Sequence, residues 1–514
     1  MKAMNPISYQ SIFPTLDTWG LLKRSHLSRP GQGSLQINSQ SITRGDVFIA
    51  MQGTSTNSHA FIPQAIESGA HFLIFDQTDT LTFPLPEQVS WAEVTNSRAA
   101  WAALSAQAYG NPQNKLSLYG VTGTNGKTST TQMAGQLIRL CGSKCLTIGT
   151  LGASDGTKHW PSPHTTPDPP ELFALLNHCV ENHIPTVIME VSSHAMEQQK
   201  VFPLKFSGGA FTSFSQDHLD FHKTMGAYWE AKLAFFTTKL EENALVLVNE
   251  TIKNFPMHQF KNGMTYGGLA GSHHPPSLKI LLNESSSENQ IITIQYTEKE
   301  FKGEFPFSGF HNAENFTAAW AIARDAIGKD PDPSLWKQVK PIPGRCEVVN
   351  PNRKNEPTVI IDFAHTPDAL KTVLLSLKKT TEQRLWLVFG CGGDRDKGKR
   401  PKMAKIGEDY ANFLVLTSDN PRSENPETII EDMKAGLCKN RNTFVEINRE
   451  DAISFAIRKA IQDDIVLIAG KGHENYQIFK DKKIPFSDHE IAMHCLETFW
   501  RNHDDSLDIL QTMA

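Results

Sequence analysis

Residues 120–128 read Gly-Val-Thr-Gly-Thr-Asn-Gly-Lys-Thr, a combination suited to holding nucleotide phosphates. An apolar segment at 116–119 precedes this stretch and a helix-forming segment at 129–138 follows it, so we predict a strand, a glycine-rich turn and a helix. Backbone N–H groups at such a helix N-terminus bind phosphate oxygens. Lys127 would neutralise the β- and γ-phosphates, and the Thr128 hydroxyl would ligate Mg²⁺.

The stretch departs from the strict phosphate-loop pattern at one position. Val121 stands where the pattern has glycine, and Gly123 substitutes for it. The alternative is a tight strand–helix turn without a ligand, which the joint presence of strand, helix and Gly-Lys-Thr disfavours. We therefore predict ATP binding. The predicted nucleotide contacts are Gly123, Thr124, Asn125, Gly126, Lys127, Thr128 and Ser129.

Further downstream, two polar clusters could hold a metal that is shared with phosphate. Glu190 ends the apolar run 186–189, where a carboxylate beside the phosphate-loop strand would suit Mg²⁺. Taken alone, Glu190 would more often be a solvated strand end. Residues 214–222 are dense in Asp and His, with His218 and His222 four apart, but no zinc-type spacing follows. A metal shared with phosphate, or a substrate contact, fits this cluster better.

Lys232 lies in a strongly apolar helical stretch at 227–236. If its amine is buried there, desolvation would lower its pKa. The alternative is a lysine whose stem packs while its ammonium reaches water, and spacing alone favours that alternative.

Composition narrows the class of protein. The 514 residues carry a formal net charge of -5, which argues against a nucleic-acid-binding surface. Seven scattered cysteines without Cys-x-x-Cys pairs indicate reduced thiols. The N-terminal residues lack an apolar signal segment, and no run reaches the length of a membrane span. We expect a cytoplasmic protein without membrane insertion.

The elements that must position these residues alternate between apolar strands and amphipathic helices, which is typical of an α/β protein. Strands are expected at 46–51 and 71–75 with a helix at 60–68 between them, and residues 263–290 are expected to form exposed loops. We predict three domains: an N-terminal α/β domain at 1–107, a central phosphate-loop domain at 108–343 and a C-terminal, Rossmann-like doubly wound domain at 344–514.

The ordered set of motifs resembles the Mur ligases, the ATP-dependent amide-forming enzymes of peptidoglycan precursor synthesis. The similar segments span nearly the whole chain and are residues 123–128, 190–194, 217–222, 228–232, 310–315, 343–347, 362–369, 390–397, 419–422 and 470–474. The resemblance implies a UDP-binding N-terminal domain, a central ATPase domain and a C-terminal amino-acid-binding domain.

The resemblance also implies roles for single residues. Lys232 would be carbamylated by CO₂ to give an extra carboxylate, and His218 and carbamylated Lys232 would support a second Mg²⁺ beside the one held by Thr128 and Glu190. The implied catalytic residues are Lys127, His218, Lys232 and Arg345. Asn312, Arg345 and Asp362 would close on ATP from the linker and the third domain.

The motif at 419–422, Asp-Asn-Pro-Arg, resembles that of the members that add meso-diaminopimelate. The guanidinium of Arg422 would pair with the distal carboxylate, which lysine lacks. Read without the upstream motifs, Asn-Pro after a strand is an ordinary turn. The implied diaminopimelate contacts are Arg395, Asp419, Asn420, Pro421, Arg422, Gly470 and Glu474, with Glu474 pairing the distal ammonium.

The nucleotide-sugar contacts are implied with three departures from the family pattern: Gln40 and Lys200 replace arginines, and His164 replaces asparagine. Lys200 keeps the charge but loses the bidentate fork. The implied contacts with the UDP-muramoyl dipeptide are Ile37, Ser39, Thr54, Ser55, Thr56, His164, Thr165, Thr166, Ser192, Gln198 and Lys200.

The expected reaction joins meso-diaminopimelate to UDP-N-acetylmuramoyl-L-alanyl-D-glutamate through an acyl phosphate, with release of ADP and phosphate. The expected ligands are this nucleotide sugar, meso-diaminopimelate, ATP and Mg²⁺, and we expect a monomer. The alternatives are a lysine-adding relative, a ligase similar to folylpolyglutamate synthetase, or a regulatory phosphate-loop switch that catalyses no ligation.

Overall fold

The computed structural model describes residues 4–53, 56–76, 84–268, 276–285, 289–351, 355–380, 383–438 and 442–501. Thr54 and Ser55, two of the predicted nucleotide-sugar contacts, lie outside the described residues. The chain forms three main sheets, and helices alternate with the strands of each sheet along the sequence. The predicted domain limits at 107/108 and 343/344 fall between these sheets, and we keep them as proposed limits.

The N-terminal sheet has the order β2-β7-β6-β5-β4, and only the β2–β7 pair is antiparallel. The predicted strands and helix at 46–75 are confirmed as β5, α2 and β6. The elements are β1 Ile7–Ser8, α1 Tyr9–Thr18, β2 Leu22–His26, β3 Gln32–Gly33, β4 Leu35–Gln36, β5 Val47–Ile49, α2 Ile62–Glu67, β6 Phe72–Phe75, β7 Ser90–Val94 and α3 Ser97–Ala108.

The central domain is built on an eleven-stranded sheet of order β11-β10-β9-β12-β8-β13-β14-β15-β16-β17-β18. Its elements are β8 Ser117–Thr122, α4 Lys127–Leu140, β9 Cys145–Gly149, β10 Gly152–Ser154, β11 His159–Trp160, α5 Pro169–Glu181, β12 Thr186–Glu190, α6 Ser193–Glu197, β13 Phe206–Phe211, α7 Leu219–His222, α8 Met225–Lys239, β14 Leu240–Asn249, β15 Asn262–Gly267, β16 Leu278–Ser285, β17 Gln290–Tyr296, β18 Lys299–Phe305 and α9 Phe310–Ile327. The strand β8 runs parallel to both neighbours, β12 and β13, so all three end at the same edge. The phosphate loop leaves the sheet at that edge.

The prediction that residues 263–290 form exposed loops is wrong for most of its described part. Strands β15 and β16 occupy much of this range, and β16 pairs with β17 in an antiparallel hairpin. Leu278 and Ile280 are buried beneath it together with Ile292 and Ile294 of β17. The segment is rich in glycine, serine, histidine, proline and asparagine, which obscured the alternation of these few apolar residues.

The C-terminal sheet has the order β19-β20-β24-β21-β22-β23 and is parallel except for β19. Apolar clusters pack on both faces, which confirms the doubly wound prediction. The elements are β19 Glu347–Val348, β20 Thr358–Asp362, α10 Pro367–Thr380, β21 Leu385–Phe389, α11 Arg400–Tyr410, β22 Phe413–Leu416, α12 Pro426–Lys434, β23 Thr443–Val445, α13 Arg449–Lys459, β24 Ile465–Ala469, β25 Tyr476–Phe479, β26 Lys482–Pro485 and α14 Asp488–Leu496. Among all the helices described, none is both long and apolar enough to cross a bilayer.

Candidate active site

A single cavity of about 1800 Å³ is lined by side chains of all three domains. The N-terminal domain contributes a small group that includes Ile37 and Trp101. The central domain contributes the phosphate loop and the ends of β12 and β13, and the C-terminal domain contributes the carboxyl ends of its parallel strands. Loops at the carboxyl ends of parallel strands are where α/β proteins bind ligands.

The phosphate loop has a backbone that only glycine fits at two points. Gly123 and Gly126 have φ angles of 148° and 86°. A Cβ atom on Gly123 would lie 2.1 Å from the Thr212 hydroxyl, and one on Gly126 would lie 2.4 Å from Oδ1 of Asn315. The substitution of Gly123 for the usual glycine position is therefore compatible with a tight loop that leads directly into α4.

Lys127 folds back onto this loop. Its Nζ donates hydrogen bonds to the carbonyl oxygens of Gly123 and Thr124 at 2.8 and 2.9 Å. Burial lowers the pKa of Lys127, and the nearby carboxylates of Glu190 and Asp217 oppose that shift. Phosphate oxygens would replace the carbonyl partners and restore the full stabilisation of the ammonium.

Arg345, the first cation after the junction with the C-terminal domain, reaches the phosphate loop. Its Nη2 donates to the Thr128 hydroxyl at 3.0 Å, although the two residues are 217 positions apart. The guanidinium lies over the Phe363 ring, 4.5 Å from its centroid. Burial lowers the pKa of Arg345, while Asp362 and Glu190 act in the opposite direction. The C-terminal domain therefore supplies a cation to the nucleotide end of the cavity.

Glu190 is completely buried at the end of β12. Its carboxylate accepts hydrogen bonds from the backbone N–H and the hydroxyl of Thr150, at 2.8 and 3.2 Å. A Cβ atom on Gly149 would lie 2.1 Å from Oε1, so this glycine makes room for the carboxylate. The alternative of a solvated strand end is wrong for Glu190.

Lys232 on α8 is also buried, with a relative exposure of 1%. Its Nζ donates to the Gly123 carbonyl oxygen at 2.8 Å and lies 4.6 Å from the centroid of the Tyr228 ring. Burial lowers the pKa of Lys232 well below its ordinary value, and the positive charge of Lys127 adds to this effect. The alternative of a lysine whose ammonium reaches water is therefore wrong for Lys232. Because its pKa is lowered, the amine can be present in its neutral form.

His218 stands beside a buried carboxylate. Its Nε2 lies 3.4 Å from Oδ2 of Asp217, and its ring meets that of His194 edge-on at 4.8 Å between centroids. Partial burial is the largest cause of the lowered pKa of His218, about 3, and Asp217 opposes it. The neutral imidazole that results is the form that can ligate a metal.

Asp217 connects the central and C-terminal domains. Its carboxylate lies 3.6 Å from Nε2 of His365 and 3.8 Å from Nζ of Lys399, both beyond the domain junction. Burial alone would raise the pKa of Asp217, but the His365 hydrogen bond and the surrounding positive charges hold that pKa well below its ordinary value. This contact fixes the third domain over the nucleotide end of the cavity.

Two further predicted ATP residues line the cavity, with part of their polar groups engaged. Nδ2 of Asn312 donates to the Ser308 carbonyl oxygen at 2.8 Å. The Asp362 carboxylate accepts from the backbone N–H groups of Cys346 and Ala364, each at 2.7 Å. Asp362 thereby shapes the segment that carries Arg345.

Arg422 presents a half-buried guanidinium at the C-terminal side of the cavity. Its Nη1 donates to the carbonyl oxygens of Gly393 and Asn420 at 2.8 and 3.4 Å. Among the described residues, no carboxylate forms an ion pair with it. Burial and the neighbouring Arg395 lower its pKa, and Asp419 and Glu474 oppose this. A carboxylate of a ligand would supply the missing partner.

The other predicted contacts with the amino acid surround Arg422, and they differ in how far their polar groups are already hydrogen-bonded. Glu474 accepts hydrogen bonds from Asn420 and from the buried Lys471, at 2.8 and 3.1 Å, so its charge is already partly engaged. Arg395 donates to the carbonyl oxygen of Asp394. The predicted residues that line the cavity here are Arg395, Asp419, Asn420, Arg422, Gly470 and Glu474, whereas Pro421 is buried outside its lining.

The predicted nucleotide-sugar contacts divide into two groups. Ile37, His164, Thr165, Thr166, Ser192, Gln198 and Lys200 line the cavity. Ser39 and Thr56 do not; the Ser39 hydroxyl is buried and donates to Oε1 of Gln64 at 3.0 Å. Lys200 pairs with Asp168 at 2.7 Å and donates to the Thr166 carbonyl oxygen. The structure thus places most, but not all, of this group at one surface.

Several residues of the site escaped the sequence prediction. Thr150 orients Glu190, His365 meets Asp217, and Lys471 holds Glu474. Asp217 belongs to the cluster at 214–222 for which the sequence predicts a metal or substrate contact, but its contacts with His365 and Lys399 were not predicted. A strand-end position would have indicated Thr150, but nothing local to His365 or Lys471 indicates which partner each one meets.

A divalent metal ion fits the donors at the nucleotide end. In the part of the chain that is described, no cluster of three or more His, Cys, Asp or Glu side chains is arranged to hold a metal. Mg²⁺ does not require one, since it binds through one or two protein oxygens together with substrate phosphates and water. The Thr128 hydroxyl and the Glu190 carboxylate both provide oxygen ligands, and both residues line the cavity.

Comparison with known protein families gives matches over most of the chain. Models described as Mur ligase family, catalytic domain, as Mur ligase middle domain, and as Mur ligase, glutamate ligase domain match residues 33–109, 121–323 and 344–472.

Individual proteins match over nearly their whole length. The UDP-N-acetylmuramoyl-L-alanyl-D-glutamate--2,6-diaminopimelate ligase of Clostridium tetani is 34% identical, covering 91% of this chain and 95% of its own. The protein of the same name from Aquifex aeolicus is 36% identical, covering 90% and 93%. A solved structure of a ligase of that name covers 96% of this chain and 99% of its own, with 29% identity and a TM-score of 0.63.

Proposed function

The chain belongs to the Mur ligase family, and from that premise we propose that it joins meso-diaminopimelate to UDP-N-acetylmuramoyl-L-alanyl-D-glutamate at the expense of ATP. One observation carries the proposal: the same cavity is lined by a phosphate loop, by the buried side chains of Glu190 and Lys232, and by the guanidinium of Arg422, which pairs with no described carboxylate. These are the sites that an ATP-driven ligation to an amino diacid needs.

The reaction proceeds in two steps. The γ-carboxylate of D-glutamate attacks the γ-phosphorus of ATP, forming a C–O–P bond and releasing ADP. The amine of diaminopimelate then attacks the acyl carbon, loses a proton and expels phosphate from the tetrahedral intermediate. Positioning and charge neutralisation supply most of the acceleration.

At the nucleotide end, the backbone of 123–128 and the Lys127 ammonium hold the phosphates, and Arg345 adds a cation from the third domain. Mg²⁺, when bound, neutralises phosphate oxygens; Thr128 and Glu190 would hold one ion, and His218 and carbamylated Lys232 a second. Because Arg345 and Asp217 both bridge the domains, closure of the third domain assembles this end and excludes water from the acyl phosphate.

Carbamylation of Lys232 is a balanced reaction. The neutral amine nitrogen bonds to the carbon of CO₂, and one N–H proton leaves to water. The lowered pKa of Lys232 supports this step, since only the neutral amine reacts. Mass measurement of the intact protein with and without bicarbonate tests it: a gain of one carbamate that Lys232→Ala loses is expected.

Selection of the amino acid rests on Arg422. A guanidinium binds a carboxylate through two parallel hydrogen bonds, and leaving such a half-buried group unpaired is costly. Lysine has only a hydrogen where diaminopimelate has its distal carboxylate, so lysine leaves Arg422 unpaired. Asn420 and Glu474 would bind the ammonium beside that carboxylate.

The sugar-nucleotide end is proposed to lie where Ile37, Trp101 and Lys200 face the cavity. Ser39 and Thr56 would act there only indirectly, through the local backbone. We further propose that the enzyme works as a monomer in the cytoplasm, where its nucleotide substrates are made.

An amino-acid panel tests the proposed function. Phosphate release is measured with ATP and the UDP-muramoyl dipeptide in the presence of meso-diaminopimelate, lysine or glutamate. We expect release only with all substrates present, and at least about 100-fold preference for diaminopimelate over lysine. Equal use of lysine would make the chain a lysine-adding ligase, and release that is independent of any amino acid would contradict ligation.

A further inference from the structure

The C-terminal domain contains an ion pair that is completely inaccessible to solvent. Arg449 is the first residue of α13, and Asp488 is the first residue of α14. Nε and Nη2 of Arg449 donate to Oδ1 and Oδ2 of Asp488, each at 2.8 Å, and both side chains have an exposure of 0%. The guanidinium is therefore held in one orientation by a bidentate contact.

The remaining donors of Arg449 point at the amino-acid site. Nη2 donates to the carbonyl oxygen of Ala469 at 3.0 Å, and Nη1 donates to that of Ser418 at 3.4 Å. Ser418 directly precedes Asp419, and Ala469 directly precedes Gly470. One side chain thus holds the backbone immediately before two of the proposed diaminopimelate contacts.

The sheet alone leaves these two segments unconnected. Ser418 follows β22 and Ala469 ends β24, and β21 lies between these strands in the sheet. At the carboxyl edge the loops nevertheless come close, since a Cβ atom on Gly470 would lie 2.8 Å from Oδ2 of Asp419. Arg449 contacts the backbone on both sides of this gap, and hydrogen bonds of Asn420 with Lys471 and Glu474 link the two loops further along.

The location of Arg449 is unfavourable for a purely stabilising residue. A cation at a helix N-terminus opposes the helix dipole. A buried ion pair also loses about as much in desolvation as it gains in attraction, so it is weak evidence for a stabilising role. A role in holding two loops in register explains the residue better, because only a guanidinium has the four donors needed for a bidentate carboxylate contact and two carbonyls at once.

We propose that Arg449, oriented by Asp488, is a positioning residue for the acceptor amino acid: it fixes Asp419 and Gly470 relative to Arg422. The inference rests on the proposed function, since it assumes that these loops bind the amino acid. It requires that changes at Arg449 act on that substrate and leave ATP and the nucleotide sugar unaffected.

A second arginine–aspartate pair in the same domain provides a matched control. Arg384 donates through Nε and Nη2 to the buried Asp464, at distances of 2.7 to 3.2 Å. These residues directly precede β21 and β24, at the amino edge of the same sheet, away from the cavity. Arg384→Lys therefore weakens a pair of similar geometry, whose arginine is 37% exposed, without touching the loops of the site.

The experiment measures Michaelis constants for all three substrates and the unfolding temperature in wild type, Arg449→Lys and Arg384→Lys. For Arg449→Lys we expect the KM for diaminopimelate to rise about tenfold, since a lysine cannot keep both carbonyl contacts. Its KM values for ATP and the nucleotide sugar are expected within about twofold of wild type. Arg384→Lys is expected to leave all three constants within that range.

Asp488→Asn is a second variant, which keeps the size of the Asp488 side chain but removes the carboxylate that orients the Arg449 guanidinium. It should raise the KM for diaminopimelate and leave the KM values for ATP and the nucleotide sugar unchanged. The proposal is overturned if Arg384→Lys raises the amino-acid KM as much as Arg449→Lys does, if all three constants rise together, or if neither variant of the Arg449 pair folds. If the wild-type enzyme prefers another amino acid, the assignment of diaminopimelate fails. The KM values of the Arg449 and Arg384 variants for that preferred amino acid then decide the role of Arg449.

Discussion

The cavity has two cationic ends whose cations have the same kind of partner but differ in burial. At the nucleotide end, Lys127 and the buried Lys232 contact the phosphate loop, and both donate to the Gly123 carbonyl oxygen. At the amino-acid end, Arg422 is half-buried on a loop and donates to the backbone carbonyl oxygens of Gly393 and Asn420. Neither end pairs its cation with a carboxylate in the described residues.

This difference in burial suits the nucleotide end to catalysis and the amino-acid end to selection of the substrate. Burial changes the protonation of Lys232, which is what a reactive amine needs. Partial exposure leaves Arg422 charged and accessible, which is what recognition of a soluble amino diacid needs. We expect changes at the first end to affect turnover, and changes at the second to affect the choice of substrate.

The largest expected effect is at the buried amine. Lys232→Ala removes the proposed carbamate, so kcat should fall by about 10²–10³-fold, and a small added carboxylic acid should restore part of it. Steady-state phosphate release measures both. Lys239→Ala is the matched control, because Lys239 lies on the same helix, has a pKa lowered to about 8 by burial and contacts the Phe202 carbonyl oxygen outside the cavity. Full activity in Lys232→Ala would remove the carbamate from the mechanism.

The second effect is at the selective end. Arg422→Lys keeps the charge but loses the bidentate fork, so kcat/KM for diaminopimelate should fall about 10- to 100-fold, with KM for ATP and nucleotide sugar unchanged. Arg458 is an exposed residue of α13, so Arg458→Lys serves as the control and should leave kcat/KM for diaminopimelate unchanged. If the KM values for diaminopimelate, ATP and the nucleotide sugar all rise together, the segment 419–422 is a structural turn. The two ends of the cavity then do not have separate roles in catalysis and substrate selection.

A smaller effect is expected on stability at acid pH, where the two ends meet. Burial lowers the pKa of His473 to about 4, with the charges of Arg345 and Lys471 adding to it. Between about pH 6.5 and 4 the unfolded state binds the proton more readily, so stability falls as the pH falls through this window.

Replacing His473 with glutamine removes that contribution. The decrease in unfolding temperature from pH 6.5 to pH 4.5 should be smaller in His473→Gln by about 2–4 °C, as measured by calorimetry. The exposed His494→Gln should behave as wild type. An unchanged pH profile in His473→Gln would show that this part of the boundary is more hydrated than its burial indicates.

The smallest effect is expected at the sugar-nucleotide end. Because the Ser39 hydroxyl donates to Gln64 and does not face the cavity, Ser39→Ala should change KM for the nucleotide sugar by less than about threefold. Ile37→Ala, which removes a side chain at the cavity, should raise it more. If Ser39→Ala raises the KM for the nucleotide sugar more than Ile37→Ala does, Ser39 contacts the nucleotide sugar directly.

Features encoded by neighbouring residues were predictable. The phosphate loop, the strand before Glu190 and the α/β class follow from runs of apolar residues, glycines and a lysine within short windows. The loops expected at 263–290 show the limit of this approach, since the β16–β17 hairpin is held by few apolar residues within a polar composition. The resemblance to the Mur ligases pointed to Lys232 and Arg345, but not to their partners in the fold.

The amino-acid sequence by itself therefore determined the order of elements and the kinds of group available for phosphate, metal and carboxylate binding, because strand and turn preferences act over a few residues. Only the tertiary structure decided which of those groups are free to meet a ligand. Lys232 and Gly123 are 109 positions apart, and Arg345 and Thr128 are 217 apart. The engagement of Ser39 with Gln64, and of Arg449 with the loops at Ser418 and Ala469, is likewise set by packing between distant segments.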